Sequence, residues 1–570
     1  MPAENRSNDR RARGRSDGDG KGNANRRRFG VGVGAMALGV VLALQGSPPA
    51  TALEIPAPSS FADRAREVFE TPGFENAHWG ILVVDAKSGE TVYERNPDQL
   101  FATGSAAKLF STAAALVDLG ADYRFQTPVA RRGEVDQEGV LHGDLILIAQ
   151  GDPAMGGRTG PDGQLLFKDN DHIYAGGGAS GELVATDPVA GLEHLAREVR
   201  ASGIQRITGE VIVDARLFKI ARNSGSGPKR ISPIMINDNL IDVVIQAGSK
   251  PGEPAEIAMT PVTRYANLDA QVETVAADGK FEIKLKRVGP RRFTIRGKAP
   301  AGAPAVIEPY EVDDPASFAR TLLIESLTRH GVRVDASPLA ENPGARLPSR
   351  PEVAALPKVA EYTSPPFREF ARVNLKVSHT AYASALPILL AVRRGERTLA
   401  AGLKHQGEVL KDLGVDPTAV SFGGGAGGTW ADMASPRATV SLLRAMAARP
   451  DFSAYDAALP ILGRDGTLAT VIDKESPARG HAHAKTGTNF VVNRQTGQRL
   501  LTAKALAGYL ETASGRQLVF AFYMNNVMLD ADPALAARPF PPTTGGAGKL
   551  IGRLCEILHA DAPPVELGKK

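Results

Sequence analysis

A lysine sits where an apolar helix has no structural use for one. From Ser105 the chain reads Ser-Ala-Ala-Lys-Leu-Phe, continues through Ala113-Ala114-Ala115-Leu116-Val117, and meets Gly120. Strong helix formers followed by a glycine stop predict a largely buried helix over residues 105–119. Ser105 falls at its N-terminus, near the positive end of the helix dipole, and Lys108 follows one turn later on the same face. Burial disfavours the charged form of a lysine, so a desolvated Lys108 can serve as a base beside a nucleophilic serine.

A Ser-x-x-Lys string alone says little. One is expected about once by chance in a chain of this size, and Ser226-Gly227-Pro228-Lys229 is such a match in a Gly/Pro loop. Two later strings, Ser378-His379-Thr380 and Lys485-Thr486-Gly487, supply the context. The third has its own decoy, Lys87-Ser88-Gly89, which reads as a hairpin turn between two strand-like runs. Singly, each string has an ordinary reading: a surface helix start with a solvated lysine, a polar helix residue, and an edge-strand charge before a turn. Their order and separation argue against all three. His379 is read as incidental.

The chain has 570 residues and should hold more than one domain. Its net charge of +4 belongs to the N-terminus. Residues 1–28 carry nine Lys/Arg and four Asp/Glu, and residues 29–52 carry none, which leaves 58 basic against 59 acidic residues in the rest. Nothing in that balance points to nucleic acid. Arg26-Arg27-Arg28-Phe29, the weakly apolar run from Gly30 to Leu44 and Ala50-Thr51-Ala52 resemble an export signal with an A-x-A cleavage site. The twin-arginine route fits best, with a general secretory signal as the alternative. The expected location is periplasmic or otherwise extracytoplasmic, with peripheral membrane contact if the segment stays attached. Cys555 is the single cysteine, so no intrachain disulfide can form.

Texture divides the chain into four parts. Residues 1–52 form the basic tail and signal. Residues 53–128 hold a hairpin at Trp79–Asp85 and Thr91–Glu94, then the helix with Ser105. Residues 129–361 are β-rich, with short runs such as Leu145–Ile148, Val211–Val213 and Val243–Ile245 and two helices near 188–201 and 316–330. Residues 362–570 return to helix over 366–413, then antiparallel strands around Lys485, Ala505–Leu510 and Leu518–Tyr523, and a last helix at 546–559. The expected fold class is α+β, with a β-rich insertion interrupting one domain.

These strings, with Gly151-Asp152-Pro153, Ile207-Thr208-Gly209-Glu210-Val211-Ile212-Val213-Asp214, Ser232–Asn239 and Gly463-Arg464-Asp465-Gly466-Thr467-Leu468, resemble the low-molecular-mass class C penicillin-binding proteins. That family comprises D-alanyl-D-alanine carboxypeptidase/endopeptidases, and the resemblance covers roughly residues 75–560. It implies a penicillin-recognising, β-lactamase-like catalytic domain. It also implies peptidoglycan peptides as substrates, β-lactams as covalent inhibitors, and no metal or other cofactor. By the same resemblance Ser105 is the nucleophile, Lys108 its base, and Ser378 a proton relay. Lys485 supplies positive charge and Thr486 helps hold the substrate carboxylate, with Thr380, Gly487 and Thr488 completing the substrate site. The backbone N–H groups of Ser105 and Thr488 form the oxyanion hole.

Three features depart from the pattern. Thr380 stands where Asn is usual, Gly424-Gly425-Ala426-Gly427-Gly428-Thr429 replaces an Asp-Gly-Ser-Gly-Leu-Ser segment, and residues 489–503 look inserted. The main alternative is therefore a catalytically impaired peptidoglycan-binding relative. A zinc peptidase using His405, Asp412, His481 and His483, and a secreted esterase or β-lactamase-like enzyme, are the remaining rivals.

Overall fold

The computed structural model describes residues 61–171, 181–222, 225–529, 535–536 and 538–560. The basic tail, the apolar run and the Ala-x-Ala string lie outside the described residues. Among those described, no helix is long and apolar enough to cross a membrane.

Both ends of the described chain build one antiparallel sheet. Its strands run in the order Thr91–Arg95, His78–Asp85, Gln517–Asn525, Arg499–Glu511, Ala482–Val492, and Val527–Leu529 pairs with the start of Arg499–Glu511. Successive side chains on a strand point to opposite faces, which sorts these apolar runs into two cores. Leu82, Val84, Val519, Ala521, Tyr523, Ala505 and Ala507 pack with helix Ala107–Leu119 and helices Phe367–Lys376 and Thr380–Arg393. Trp79, Ile81, Val83, Phe520, Phe522 and Leu506 pack on the other face with Phe61–Phe69 and Thr544–His559. The fold is α+β, as the sequence predicts.

A third core lies between Val129 and Ala360. Its main sheet contains Gln126–Val135, Val140–Ile148, Arg206–Ile207, Val211–Asp214, Arg333–Val334 and Lys358–Thr363. The strands by which the chain enters and leaves this block are neighbours, with Thr127 opposite Tyr362. Helices Ala190–Ala201 and Pro315–Arg329 cover the sheet. The latter starts at Asp314, whose carboxylate accepts from the N–H groups of Ala316 and Ser317, with Pro315 in the first turn. Two three-stranded sheets and the two-stranded pair Ala221–Arg222 with Arg230–Ile231 also belong to the block.

Residues 489–503 are an extension of sheet. Strands Ala482–Val492 and Arg499–Glu511 continue past the body of the sheet as a hairpin closed at residues 493–498. The helical stretch 366–413 is three helices, the third being Leu399–Asp412, and the break between the first two carries Ser378.

Candidate active site

The turn before helix Ala107–Leu119 is a single 3-10 turn, Gly104–Ala106, with Ser105 at its centre. Lys108 is fully buried, and its Nζ donates to Ser105 Oγ at 2.8 Å and to the carbonyl of Ala426 at 2.9 Å. Desolvation pushes the Lys108 ammonium down to about 7, while the Asp432 carboxylate opposes that shift. Burial thus makes a neutral amine beside the serine hydroxyl accessible near neutrality. On the same helix, Ser111 Oγ donates to the carbonyl of Gly425 at 2.7 Å.

The glycine-rich segment is a spacer whose glycines are set by contact. A Cβ on Gly425 would meet the Ala383 carbonyl at 2.0 Å, one on Gly427 the Gly104 carbonyl at 1.8 Å, and one on Gly428 the Ser226 hydroxyl at 2.2 Å. The segment is wedged between the turn holding Ser105, the helix after Ser378, and a loop of the middle block. Asp432 ties it down. Its carboxylate accepts from the N–H groups of Gly423 (2.9 Å) and Thr429 (2.6 Å), and its carbonyl accepts from both the N–H and the hydroxyl of Thr103 at 3.1 Å.

Ser378 has φ +61°, a left-handed conformation that costs a non-glycine residue roughly 1–2 kcal/mol. The break between helices holds it there, with the His379 N–H donating to the Asn374 carbonyl at 3.0 Å. The Ser378 hydroxyl is buried and has no hydrogen-bond partner among the described residues. Thr380 is fully buried and turns its hydroxyl back to the Ser378 carbonyl at 3.3 Å. That geometry does not present Thr380 to a substrate.

His379 is structural. Its Nδ1 accepts from the Tyr382 N–H at 3.4 Å, and its Nε2 lies 3.0 Å from Asp238 Oδ2 and 3.5 Å from Arg158. Arg158 forms a two-pronged pair with Asp171 at 2.9 and 2.7 Å. The middle block thereby grips the segment carrying Ser378. It reaches the site again at Asp169, whose carboxylate accepts from the Gly466 N–H at 2.6 Å.

Strand Ala482–Val492 brings the third string to the serine. A Cβ on Gly487 would meet the Thr103 carbonyl at 2.1 Å, and one on Gly104 the Thr488 nitrogen at 2.7 Å, so two glycines let strand and turn touch backbone to backbone. Lys485 is fully buried and donates to the Thr486 carbonyl at 2.8 Å. Burial first, and then repulsion from Lys108 and Lys504, holds its ammonium well below the usual lysine range. Thr486 donates to the Thr467 hydroxyl at 2.8 Å. Thr488 is exposed and accepts from Lys504 Nζ at 3.1 Å.

The residues of the zinc reading do not converge. His405 pairs with Asp118 and Glu408, His483 with Asp456, and His481 stacks on His559. Among the described residues no three His, Cys, Asp or Glu side chains group as a metal site.

The sequence reading did not single out Asp432, Lys376 or Lys504. Lys376 pairs with Asp465 at 2.6 Å, tying the helix before Ser378 to the Gly463–Leu468 segment. Lys504 was findable by the logic that found Lys108, since it is the single charge in the mostly apolar run Leu500–Leu510.

A serine hydrogen-bonded to a buried lysine at the start of a helix, with a strand drawn against it, is the arrangement of a serine hydrolase. The sequence profile described as the D-Ala-D-Ala carboxypeptidase 3 (S13) family matches residues 63–539, and the chain belongs to that family of serine peptidases. It is similar to a D-alanyl-D-alanine carboxypeptidase of Actinomadura sp. (strain R39), 28% identical over 80% of this chain and 79% of the relative. It is also similar to D-alanyl-D-alanine carboxypeptidase DacB of Haemophilus influenzae, 20% identical over 79% and 86%. In fold it resembles the crystal structure of penicillin binding protein 4 (dacB) from Haemophilus influenzae, with TM-score 0.64, 18% identity, and coverage of 88% of this chain and 99% of that one. A second structure of that protein is complexed with a β-lactam, with TM-score 0.61, 17% identity, and coverage of 88% and 98%.

Proposed function

We propose that the chain cleaves the D-alanyl-D-alanine bond of peptidoglycan stem peptides, and the corresponding bond of cross-links, through an acyl-enzyme on Ser105. Neutral Lys108 takes the Ser105 proton as Oγ bonds to the carbonyl carbon of the penultimate D-Ala. The C–N bond then breaks, and the proton passes by way of the Ser378 hydroxyl to the leaving amine. Water then attacks the acyl carbon, Lys108 takes its proton, and as the C–Oγ bond breaks Lys108 returns that proton to Ser105 Oγ. The N–H groups of Ser105 and Thr488 receive the oxyanion, an arrangement in which one donor is worth about 10²–10³ in rate. The 2.8 Å contact between Lys108 Nζ and Ser105 Oγ is the observation that carries the reading. β-Lactams, one of which is bound in a structural relative, would acylate the same serine. The protein would act outside the cytoplasmic membrane, exported by its N-terminal segment.

Fluorescent penicillin labelling of wild type and Ser105→Ala tests it. A Ser105-dependent covalent adduct supports the enzyme. No adduct on folded protein at high penicillin overturns it in favour of the impaired wall-binding relative, for which the Asn-to-Thr change at 380 speaks. Turnover of cross-linked muropeptides against simple D-Ala-D-Ala peptides separates endopeptidase from carboxypeptidase action.

A further inference from the structure

We propose that Lys504 is the cation that recognises the free C-terminal carboxylate of the peptide, in a cleft it shares with Thr486 and Thr488. The inference rests on the acyl-transfer reading and adds a specificity-determining residue to it.

Strand geometry separates the two lysines near the third string. Lys485 and Gly487 point to one face, Thr486 and Thr488 to the other. Lys485 lies opposite Ala507 and Gly487 opposite Ala505, both of the core that holds the Ser105 helix. Thr486 lies opposite Leu506 and Thr488 opposite Lys504, and directly opposed residues share a face. Lys485 is therefore enclosed on the face toward the Ser105 helix, while Lys504 stands with the two threonines on the opposite face of the strand pair, where Thr488 is exposed.

That side is a cleft. Thr467, Thr486, Thr488 and Lys504 line it over an apolar floor that includes Leu468 and Ile551. Lys504 Nζ donates to Thr488 Oγ1 and to the Thr544 carbonyl, both at 3.1 Å, which uses two of its three protons on partners among the described residues. Gly548 faces the ammonium, where a Cβ would lie 3.3 Å from Nζ. Thr488 and Thr467 each accept a hydrogen bond and keep a proton to give. A carboxylate is acceptor-only, with two oxygens to satisfy, and an ammionium flanked by hydroxyl donors matches it. Desolvation by burial brings the Lys504 ammonium down to about 8.

The test compares an N-acylated peptide ending in D-Ala-D-Ala with the same peptide as its C-terminal carboxamide, on wild type, Lys504→Met, Lys504→Gln and Lys504→Arg. In wild type the acid should be preferred. In Lys504→Met the acid-to-amide ratio of kcat/KM should fall tenfold or more, and Lys504→Arg should restore most of it. Lys504→Gln keeps a hydrogen-bonding head group without charge, and gives the same reading if Lys504→Met does not fold. An equal loss on both peptides, or an unchanged ratio, overturns the proposal.

Calorimetric binding of the two peptides to Ser105→Ala, with and without Lys504→Met, keeps this question apart from catalysis. If wild type turns over neither peptide, the acyl-transfer reading fails, and binding alone decides the role of Lys504. A preference for acid that vanishes with Lys504 supports it; no acid preference with Lys504 intact overturns it.

Discussion

Gly427 backs onto the carbonyl of Gly104 so closely that a Cβ at 427 would lie 1.8 Å from that oxygen. Gly104 immediately precedes Ser105, so the glycine-rich segment sets the position of Ser105 through backbone contact. Gly427 also has φ +83°, which a side chain disfavours independently of space. Gly427→Ala should lose about 1–3 kcal/mol from backbone strain alone, with penicillin labelling slowed as well. Thermal unfolding and labelling rate on the same sample check both.

Lys108→Met should abolish Ser105 acylation, dropping the rate by about 10³-fold or more for loss of the base. It should also relieve the cost of burying a charged amine, a gain set against the lost hydrogen bond to the Ala426 carbonyl. The gain has a pH signature. The folded Lys108 titrates at about 7 and the unfolded one at 10.5, so below about pH 7 both are charged and the burial penalty is full. Between those values the unfolded chain holds the extra proton, and wild-type stability rises with pH. The variant's advantage, measured by denaturant unfolding at pH 6 and pH 9, should therefore shrink at the higher pH.

Acylation by wild type should rise with pH around a midpoint near 7, as Lys108 loses its proton. The rate of covalent labelling from pH 5 to 8 reads this directly. A profile flat across that range would show that Lys108 is not the base.

Asp432 holds two backbone N–H groups of the glycine-rich segment and contributes the negative charge that raises Lys108. Asp432→Asn should keep one acceptor, lose about 1–3 kcal/mol, and move the labelling midpoint to lower pH. The midpoint separates the charge from the packing, since loosened packing by itself would slow labelling at every pH.

Thr380→Asn tests the substitution at the second string. An amide that reaches the substrate in the transition state would raise acylation by about 10–100-fold, matching roughly 1.5–3 kcal/mol of regained contact. Pre-steady-state labelling by penicillin and by a D-Ala-D-Ala thioester measures it. An unchanged rate would show that the buried Thr380 position contributes only to packing.

The sequence by itself determined much of this protein. The helix with Ser105 and Lys108, the hairpin Trp79–Asp85 and Thr91–Glu94, the last helix and the α+β class are all local patterns, legible from propensity and period. So was the pairing of Ser105 with Lys108, because residues three apart on a helix must be neighbours. Tertiary structure alone decided what faces what across long separations. Ala426 reaches Lys108 over 318 residues, and Asp238 reaches His379 over 141. No local rule encodes such contacts. The same holds for the glycine-rich segment, which looked degenerate as a string and is specified in space by three close approaches. It holds for Lys485 and Lys504 as well. Alternation along one strand separates Lys485 from Thr486, but only the pairing of two strands sets Lys504 beside Thr488 and gives the open face its charge.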